Sequence, residues 1–383
     1  MKYLVHLIIW SFIRDILRDL TGIFLNFNVD LIYLILMFFG EFIFGLIIYL
    51  YQKKFYLKKN SNGVAQFMGI ELISNNSIID IKDNKYKIFC LIIFIAFFDF
   101  IEFITTIELG KKFKYCSVSF DERLGGILLI SEAIIYRYVL ILPIFRHQTF
   151  SILIIGICLI ITIATEFIFQ DVNIVLTYGK FVLFIFFQCI IQLFNSLLDI
   201  IEKYLFEYDY FNPFKILFLE GIFGLFFSLM YCIYKNPIPE LKIYFNQQSK
   251  NLAFIIISLI LYTTLSGVRN SFRVVVNKIY SPMAATLSEY ILNPFYLIFS
   301  LLLKKDFISR KKRSYGYFAI NLILSMIISF SACVYNEFVI LFFCKLQYET
   351  YHQISFRAES KCNSQRQILI ADDEVTELEM NNY

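Results

Sequence analysis

Long apolar runs constrain this chain more than any other feature. Nine runs, each of about 20 residues or more, the length that crosses a bilayer, are separated by polar or charged segments. The whole sequence is 58% hydrophobic and only 17% charged, which a soluble domain would not need. Because the bilayer core offers no water to backbone groups, each run is predicted to be a helix that bonds to itself. The predicted fold is an all-α, polytopic membrane helix bundle.

The nine predicted spanning helices have soft boundaries and are separated by charged clusters such as Lys53 and Lys54. They cover residues 29–51, 87–108, 124–145, 149–169, 175–201, 213–234, 252–270, 282–303 and 316–345. The clusters belong in headgroups or water, since a charge at mid-bilayer costs about 2.5–3.5 kcal/mol.

A tenth apolar segment lies near the start, over residues 4–27, but charged residues interrupt it. Arg14, Asp15, Arg18 and Asp19 would be costly at mid-depth unless they pair along the helix. We interpret the segment as a degenerate first helix of about ten. A distorted span, an interfacial helix and a truncated start are the alternatives.

Two pairs of similar segments indicate an internal repeat. Glu41-Phe-Ile-Phe-Gly45 matches Glu220-Gly-Ile-Phe-Gly224 at an offset of 179 residues, and Ser131-Glu132 matches Ser288-Glu289. The order is the same in both halves, although coincidence in apolar sequence is the alternative explanation.

The repeat predicts how the chain is divided. We expect a first five-helix repeat over residues 1–170, a second over 171–346, and a disordered, acidic cytosolic tail over 347–383. Because five is an odd number, the halves would have opposite orientations in the membrane. Inverted repeats of this kind are typical of secondary transporters.

Several motifs resemble those of a known family. Glu202-Lys203, followed by Asn212-Pro213 and Glu220-Gly-Ile-Phe-Gly224, resembles the sixth and seventh helices of the drug/metabolite transporter superfamily. The likeness is greatest to the F branch of solute carrier family 35, an EamA-like group. Further matches are Phe39-Gly40-Glu41, Asp99 and the stretch 276–286.

The resemblance implies ten helices in two inverted five-helix repeats, alternating access and cytosolic termini. The sequence departs from the pattern in its degenerate first helix. It also departs in the fourth helix, where Ser131-Glu132 replaces an expected Arg-Gly, and in the ninth, which has Glu289 and Asn293-Pro294. The substrate therefore stays open.

Ionisable residues inside predicted spans are the default functional candidates. The substrate or proton pathway candidates are Glu41, Asp99, Glu132, Arg137, Glu220, Glu289 and Asn293. A carboxylate in a low-dielectric cavity binds a proton more readily than in water, so it can couple transport to protons.

The candidates differ in the roles that the sequence favours for them. Glu132 and Glu289 occupy corresponding positions and are expected to face the cavity. Glu41 and Glu220 have the alternative of bonding only to neighbouring helices. The polar residues near the end of the eighth helix, Asn270, Arg273 and Lys278, favour a solvated loop over anion binding.

Composition excludes several other functions. No CxxC or Cys/His cluster occurs, so neither a metal site nor a cofactor is expected. No nucleophile–base pair is visible, which argues against a membrane-embedded enzyme. The net charge of +4 is spread over loops, which argues against nucleic acid.

The predicted function is secondary active transport of a small polar solute, such as a nucleotide sugar or other organic metabolite. A non-transporting receptor or scaffold is the alternative. The expected partners are the lipid bilayer and the solute, and a homodimer is left open. A tyrosine-based sorting pattern over residues 351–354 favours an endomembrane location, in the Golgi, endosome or lysosome.

Overall fold

Ten helices make up almost all of the described structure. The computed structural model describes residues 2–24, 30–58, 64–67, 70–73, 85–112, 124–140, 144–169, 178–209, 211–237, 252–303 and 315–342, together with Leu346, Thr350 and Gln353. The helices are α1 (Lys2–Phe24), α2 (Asp30–Lys58), α3 (Lys85–Lys112), α4 (Gly126–Leu140), α5 (Arg146–Phe169), α6 (Tyr178–Glu207), α7 (Pro213–Lys235), α8 (Leu252–Ile279), α9 (Pro282–Leu303) and α10 (Tyr315–Tyr335). The predicted all-α class is confirmed for these residues.

One small hairpin interrupts the helical pattern. β1 (Val64–Phe67) pairs antiparallel with β2 (Ile70–Ile73), and Val64 lies opposite Ile73. The hairpin lies in the connection between α2 and α3, which the sequence presents only as a long polar loop.

Seven of the helices are long and apolar enough to cross a membrane: α2, α3, α5, α6, α7, α8 and α10. Many of their large apolar side chains, such as Ile160, Ile168 and Ile233, are exposed on the outside of the bundle. Such extensive apolar exposure suits contact with lipid tails rather than water. The chain is a multi-pass helical membrane protein.

The centre of the bundle is built around α2. This helix packs against α7 and α8, while α1 packs against α8 and α9, and α3 against α6 and α7. At the other end of the bundle α4 packs against α6, and α10 packs against α5 and α9. Helices distant in sequence are therefore neighbours throughout.

Two glycines allow α2 and α7 to approach closely. A Cβ at Gly221 would lie 2.4 Å from the backbone nitrogen of Phe42, and one at Gly45 would lie 2.6 Å from that of Phe218. Both obstacles are backbone atoms of the facing helix, which cannot move aside cheaply. Small residues at a membrane helix interface serve this purpose, so the Glu-Gly-Ile-Phe-Gly motif has a packing role.

Two predicted helix ends are wrong. The tenth helix ends at Tyr335 rather than 345, and Glu337, two residues further on, adopts a left-handed φ of 60°. The eighth continues to Ile279, nine residues beyond the prediction, because its polar residues are covered by neighbouring helices. Most of the predicted tail lies outside the described residues.

Candidate functional site

A central cavity lies between helices from both halves of the chain. Its volume is about 330 Å³, and its lining comes from α1, α2, α3, α6, α8, α9 and the start of α4. The charged lining residues are Arg14, Asp15, Arg18, Glu41, Asp99, Glu102, Asp199, Arg269 and Arg273. Four guanidinium groups and five carboxylates thus line one cavity.

Three of the four charges that interrupt the first helix, Arg14, Asp15 and Arg18, are part of this lining. Arg14 donates from Nε to Asp15 at 2.8 Å, and the Tyr296 hydroxyl donates to the other oxygen of Asp15 at 2.7 Å. Arg18 forms an ion pair with Asp30 at 3.2 Å. Arg14, Asp15 and Arg18 thus face the cavity with partners for their charges, which offsets part of the cost of carrying them into the bundle.

Polar residues on α6 follow a helical stripe into the cavity. Gln188, Gln192, Asn195 and Asp199 recur at intervals of four, three and four, and all four line the cavity. That spacing places them on one face of the helix. The sequence shows this stripe as a polar face on an otherwise apolar run. It would have predicted that α6 lines the cavity, but these four residues were not among the predicted candidates.

Arg273 on α8 is the centre of an ion-pair network. Its guanidinium lies 3.0 Å from Asp199, 2.9 Å from Glu202 and 3.3 Å from Glu220. Asn277, one turn further, donates to Glu202 at 2.9 Å. The prediction of a solvated loop for Arg273 is therefore wrong, because α8 continues through this region and α6 and α7 supply carboxylates to it.

Lys203 connects α6 to the end of α8. Its buried ammonium donates to the carbonyl oxygens of Asn277, Lys278 and Tyr280 at 3.0, 3.1 and 3.3 Å, and it pairs with Glu207 at 2.8 Å. The last carbonyls of a helix have no partners within the helix, and a cation there is favourable. The Glu202-Lys203 pair therefore fixes the C-terminal end of α8 through both of its side chains.

Three of the predicted candidates meet in an acidic cluster. Carboxylate oxygens of Glu41, Asp99 and Glu220 lie within 4.8 Å of one another. Glu41 accepts a hydrogen bond from the amide of Asn270, which in turn accepts from Arg269 at 2.7 Å. Glu41 and Asp99 also line the cavity, so the cluster forms part of its wall.

The remaining candidates are spread over α4 and α9. Asn293 lines the cavity, whereas Arg137 is exposed and lies outside the lining. Glu132 is buried and accepts a hydrogen bond at 2.6 Å from Thr286, which itself lines the cavity. Glu289 lies in α9, but its side chain is outside the described part of the chain, so its pairing with Glu132 stays a prediction.

Neither the known protein-family models nor the curated proteins contain a match to this chain. The resemblance to the drug/metabolite transporters therefore stays a prediction from a few motifs.

Proposed function

We propose that the chain is a secondary active transporter that moves a small polar solute across a membrane by alternating access. The cavity carries this proposal: about 330 Å³ of space with nine charged lining residues, inside a bundle of membrane-length helices. Ionisable groups inside a membrane are costly and generally mark the pathway of an ion or solute. A bundle that needed only stability would be better served by apolar side chains there.

The order of helix contacts supports two inverted five-helix repeats. When five is added to or subtracted from each helix number, the pair α1–α8 becomes α6–α3, and α2–α8 becomes α7–α3. The pairs α1–α9 and α9–α10 likewise become α6–α4 and α4–α5, while α2–α7 and α5–α10 become themselves. Such exchange is expected of repeats related by a pseudo-two-fold axis, with the binding site between them.

The cavity also bears on the class of solute. Its volume is at the lower end of the range of about 300–1,000 Å³ that small-molecule pockets occupy, which favours one compact metabolite. Arg14, Arg18 and Arg273 line the cavity together with carboxylate partners, so an anionic group on the solute would compete with those carboxylates for the guanidinium groups. The side-chain amides of Gln188, Gln192 and Asn195 suit its hydroxyl and carbonyl groups. A compact organic metabolite with hydroxyl and carbonyl groups has this combination, whereas a whole nucleotide sugar would need a larger cavity than this one.

We place the transporter in an endomembrane compartment, with the sorting pattern over residues 351–354 as the support. All but Gln353 of that segment lies outside the described residues. Expression of the tagged chain with and without Tyr351→Ala tests this placement, since loss of the signal should redistribute the protein to the cell surface.

The function is tested by uptake into proteoliposomes of nucleotide sugars, nucleotides and organic cations, with and without a pH gradient. Arg14→Gln and Arg137→Gln form a matched pair, since Arg14 lines the cavity and Arg137 is exposed outside it. We expect saturable uptake of one class, abolished by Arg14→Gln and unchanged by Arg137→Gln. No uptake by folded, correctly inserted protein would favour the receptor or scaffold alternative.

A further inference from the structure

The acidic cluster of Glu41, Asp99 and Glu220 has the geometry of a cation site. These residues come from α2, α3 and α7, and one oxygen of each lies within 4.8 Å of the others. Oxygens that bind Ca²⁺ lie about 2.3–2.6 Å from the ion, so two of them are separated by no more than twice that distance. Three oxygens that are at most 4.8 Å apart lie no more than 4.8/√3, about 2.8 Å, from a common point, which is close to this ligand distance, so small side-chain adjustments bring all three carboxylates to a single ion.

An unpartnered buried oxygen points independently to a ligand. The Glu41 side chain is only 1% exposed, and one of its oxygens accepts a hydrogen bond from Asn270. The second oxygen has no hydrogen-bond partner among the described residues. Leaving a buried carboxylate oxygen without a partner is costly. Because Glu41 lines the cavity, an ion can reach it from there.

The excess of negative charge around the acidic cluster also favours a cation. Arg273 contacts Asp199, Glu202 and Glu220, and Arg269 donates to Asn270, which in turn donates to Glu41. With Glu41 and Asp99 included, five carboxylates surround two guanidinium groups, and 2 − 5 gives a net charge of −3 when all are ionised. The other two lining guanidinium groups each have a carboxylate of their own, since Arg14 pairs with Asp15 and Arg18 with Asp30.

We propose that Glu41, Asp99 and Glu220 form a binding site for a hard, oxygen-ligated cation of the size of Na⁺ or Ca²⁺. Carboxylate and carbonyl oxygens select hard cations, whereas the sulfur and imidazole ligands that favour zinc or copper are not among the groups of this cluster. Asn270 and Arg273 contact the cluster and also line the cavity, so ion occupancy would fix two solute-facing side chains. That coupling role rests on the proposed function, but cation binding itself does not.

Direct binding to the purified full-length chain tests the site. Equilibrium dialysis with radiolabelled Na⁺ and Ca²⁺ at neutral pH should show saturable binding of at least one of them, at a single ion per chain. Unlabelled K⁺ and Mg²⁺ should compete poorly, because K⁺ is larger and Mg²⁺ requires a tighter octahedral site. Competition by these two ions thereby shows whether the site selects cations by their size or by their charge.

Matched variants locate the binding. Glu41→Gln and Asp99→Asn should each weaken binding at least about tenfold, since even changes behind the direct ligands cost about 10–100-fold. Glu108→Gln removes a carboxylate from the same helix as Asp99, but one that pairs with Lys235 outside the cavity, and should leave affinity unchanged.

Two results would overturn the site: folded wild-type protein that binds neither ion and takes up only protons, or Glu41→Gln protein that binds as tightly as wild type. A chain that transports solute without binding a cation would refute this inference and leave the proposed function standing. A chain that binds the cation but transports no solute would refute the proposed function and leave this inference standing.

Discussion

Glu41 on α2 and Glu220 on α7 occupy corresponding positions in the two similar segments, yet their surroundings differ. Both are buried and both helices are held together by facing glycine contacts. Glu220 lies against the guanidinium of Arg273, whereas the hydrogen bond that Glu41 accepts within the described residues comes from the neutral amide of Asn270. The backbone packing of the two segments is thus alike, while the charge around them is not. The difference comes from the neighbouring helices. Arg273 of α8 lies beside Glu220, whereas Asn270 of α8 and Asp99 of α3 lie beside Glu41.

Removing the cation beside Glu220 should have the largest effect. In Arg273→Met the carboxylates of Asp199, Glu202 and Glu220 lose a shared partner, and breaking a buried pair costs about 3–5 kcal/mol. We expect a much lower thermal unfolding midpoint in detergent, followed by tryptophan or dye fluorescence. Arg137→Met, which changes an exposed arginine, is the control. If Arg273→Met were as stable as wild type, the ion pair with Arg273 would not distinguish Glu220 from Glu41.

The second largest effect should come from the packing that the two segments share. Gly221→Ala places a Cβ against the backbone of Phe42, and overpacking of this kind costs about 1–3 kcal/mol. Gly156→Ala on α5 meets nothing within 4 Å and should be neutral or slightly stabilising. Parallel unfolding curves of the two variants check this. Equal stability would show that α2 and α7 are not in close contact.

The two carboxylates can then be compared directly by neutralising each. Glu220→Gln loses a charged partner of Arg273, and we expect a loss of about 1.5 kcal/mol, typical of a hydrogen bond to a charged group. Glu41→Gln keeps an oxygen for Asn270 and removes one negative charge from the acidic cluster, so its stability should equal or exceed that of wild type. The opposite order of unfolding midpoints would contradict the assigned partners.

The smallest effect should come from an ion pair at the periphery. Lys235 lies 3.0 Å from Glu108, and both side chains are about a third exposed or more. Exposed pairs contribute only about 0–1 kcal/mol, because solvent and salt screen them. Lys235→Met should therefore shift the unfolding midpoint barely, and less still at high salt. A loss as large as that of Arg273→Met would remove the distinction between interior and peripheral pairs.

The sequence predicted the number and approximate limits of the helices, because long apolar runs leave the backbone no alternative inside a bilayer. It also identified Glu41, Asp99 and Glu220 as candidates. It did not predict that they meet, because they come from α2, α3 and α7, and contacts between distant segments are not written in local periodicity. Arg273 was misread because the polar end of α8 looks solvated until the carboxylates of α6 and α7 are seen beside it.

The charges of α1 have a consequence for how the protein is made. Asp15 is bonded by Tyr296, 281 residues later in the chain, and Ser11 by Arg269, 258 residues later. When α1 leaves the ribosome, neither Tyr296 nor Arg269 has been synthesised. Insertion of α1 into lipid is therefore unfavourable, because its polar groups would lack these hydrogen bonds. We expect α1 to remain at the membrane surface or inside the insertion machinery until α8 and α9 have been synthesised and inserted. In a Leu7→Cys chain truncated after α7, a water-soluble thiol reagent should label the cysteine that the complete chain protects. α1 is thus synthesised long before the helices that hold it in its final position.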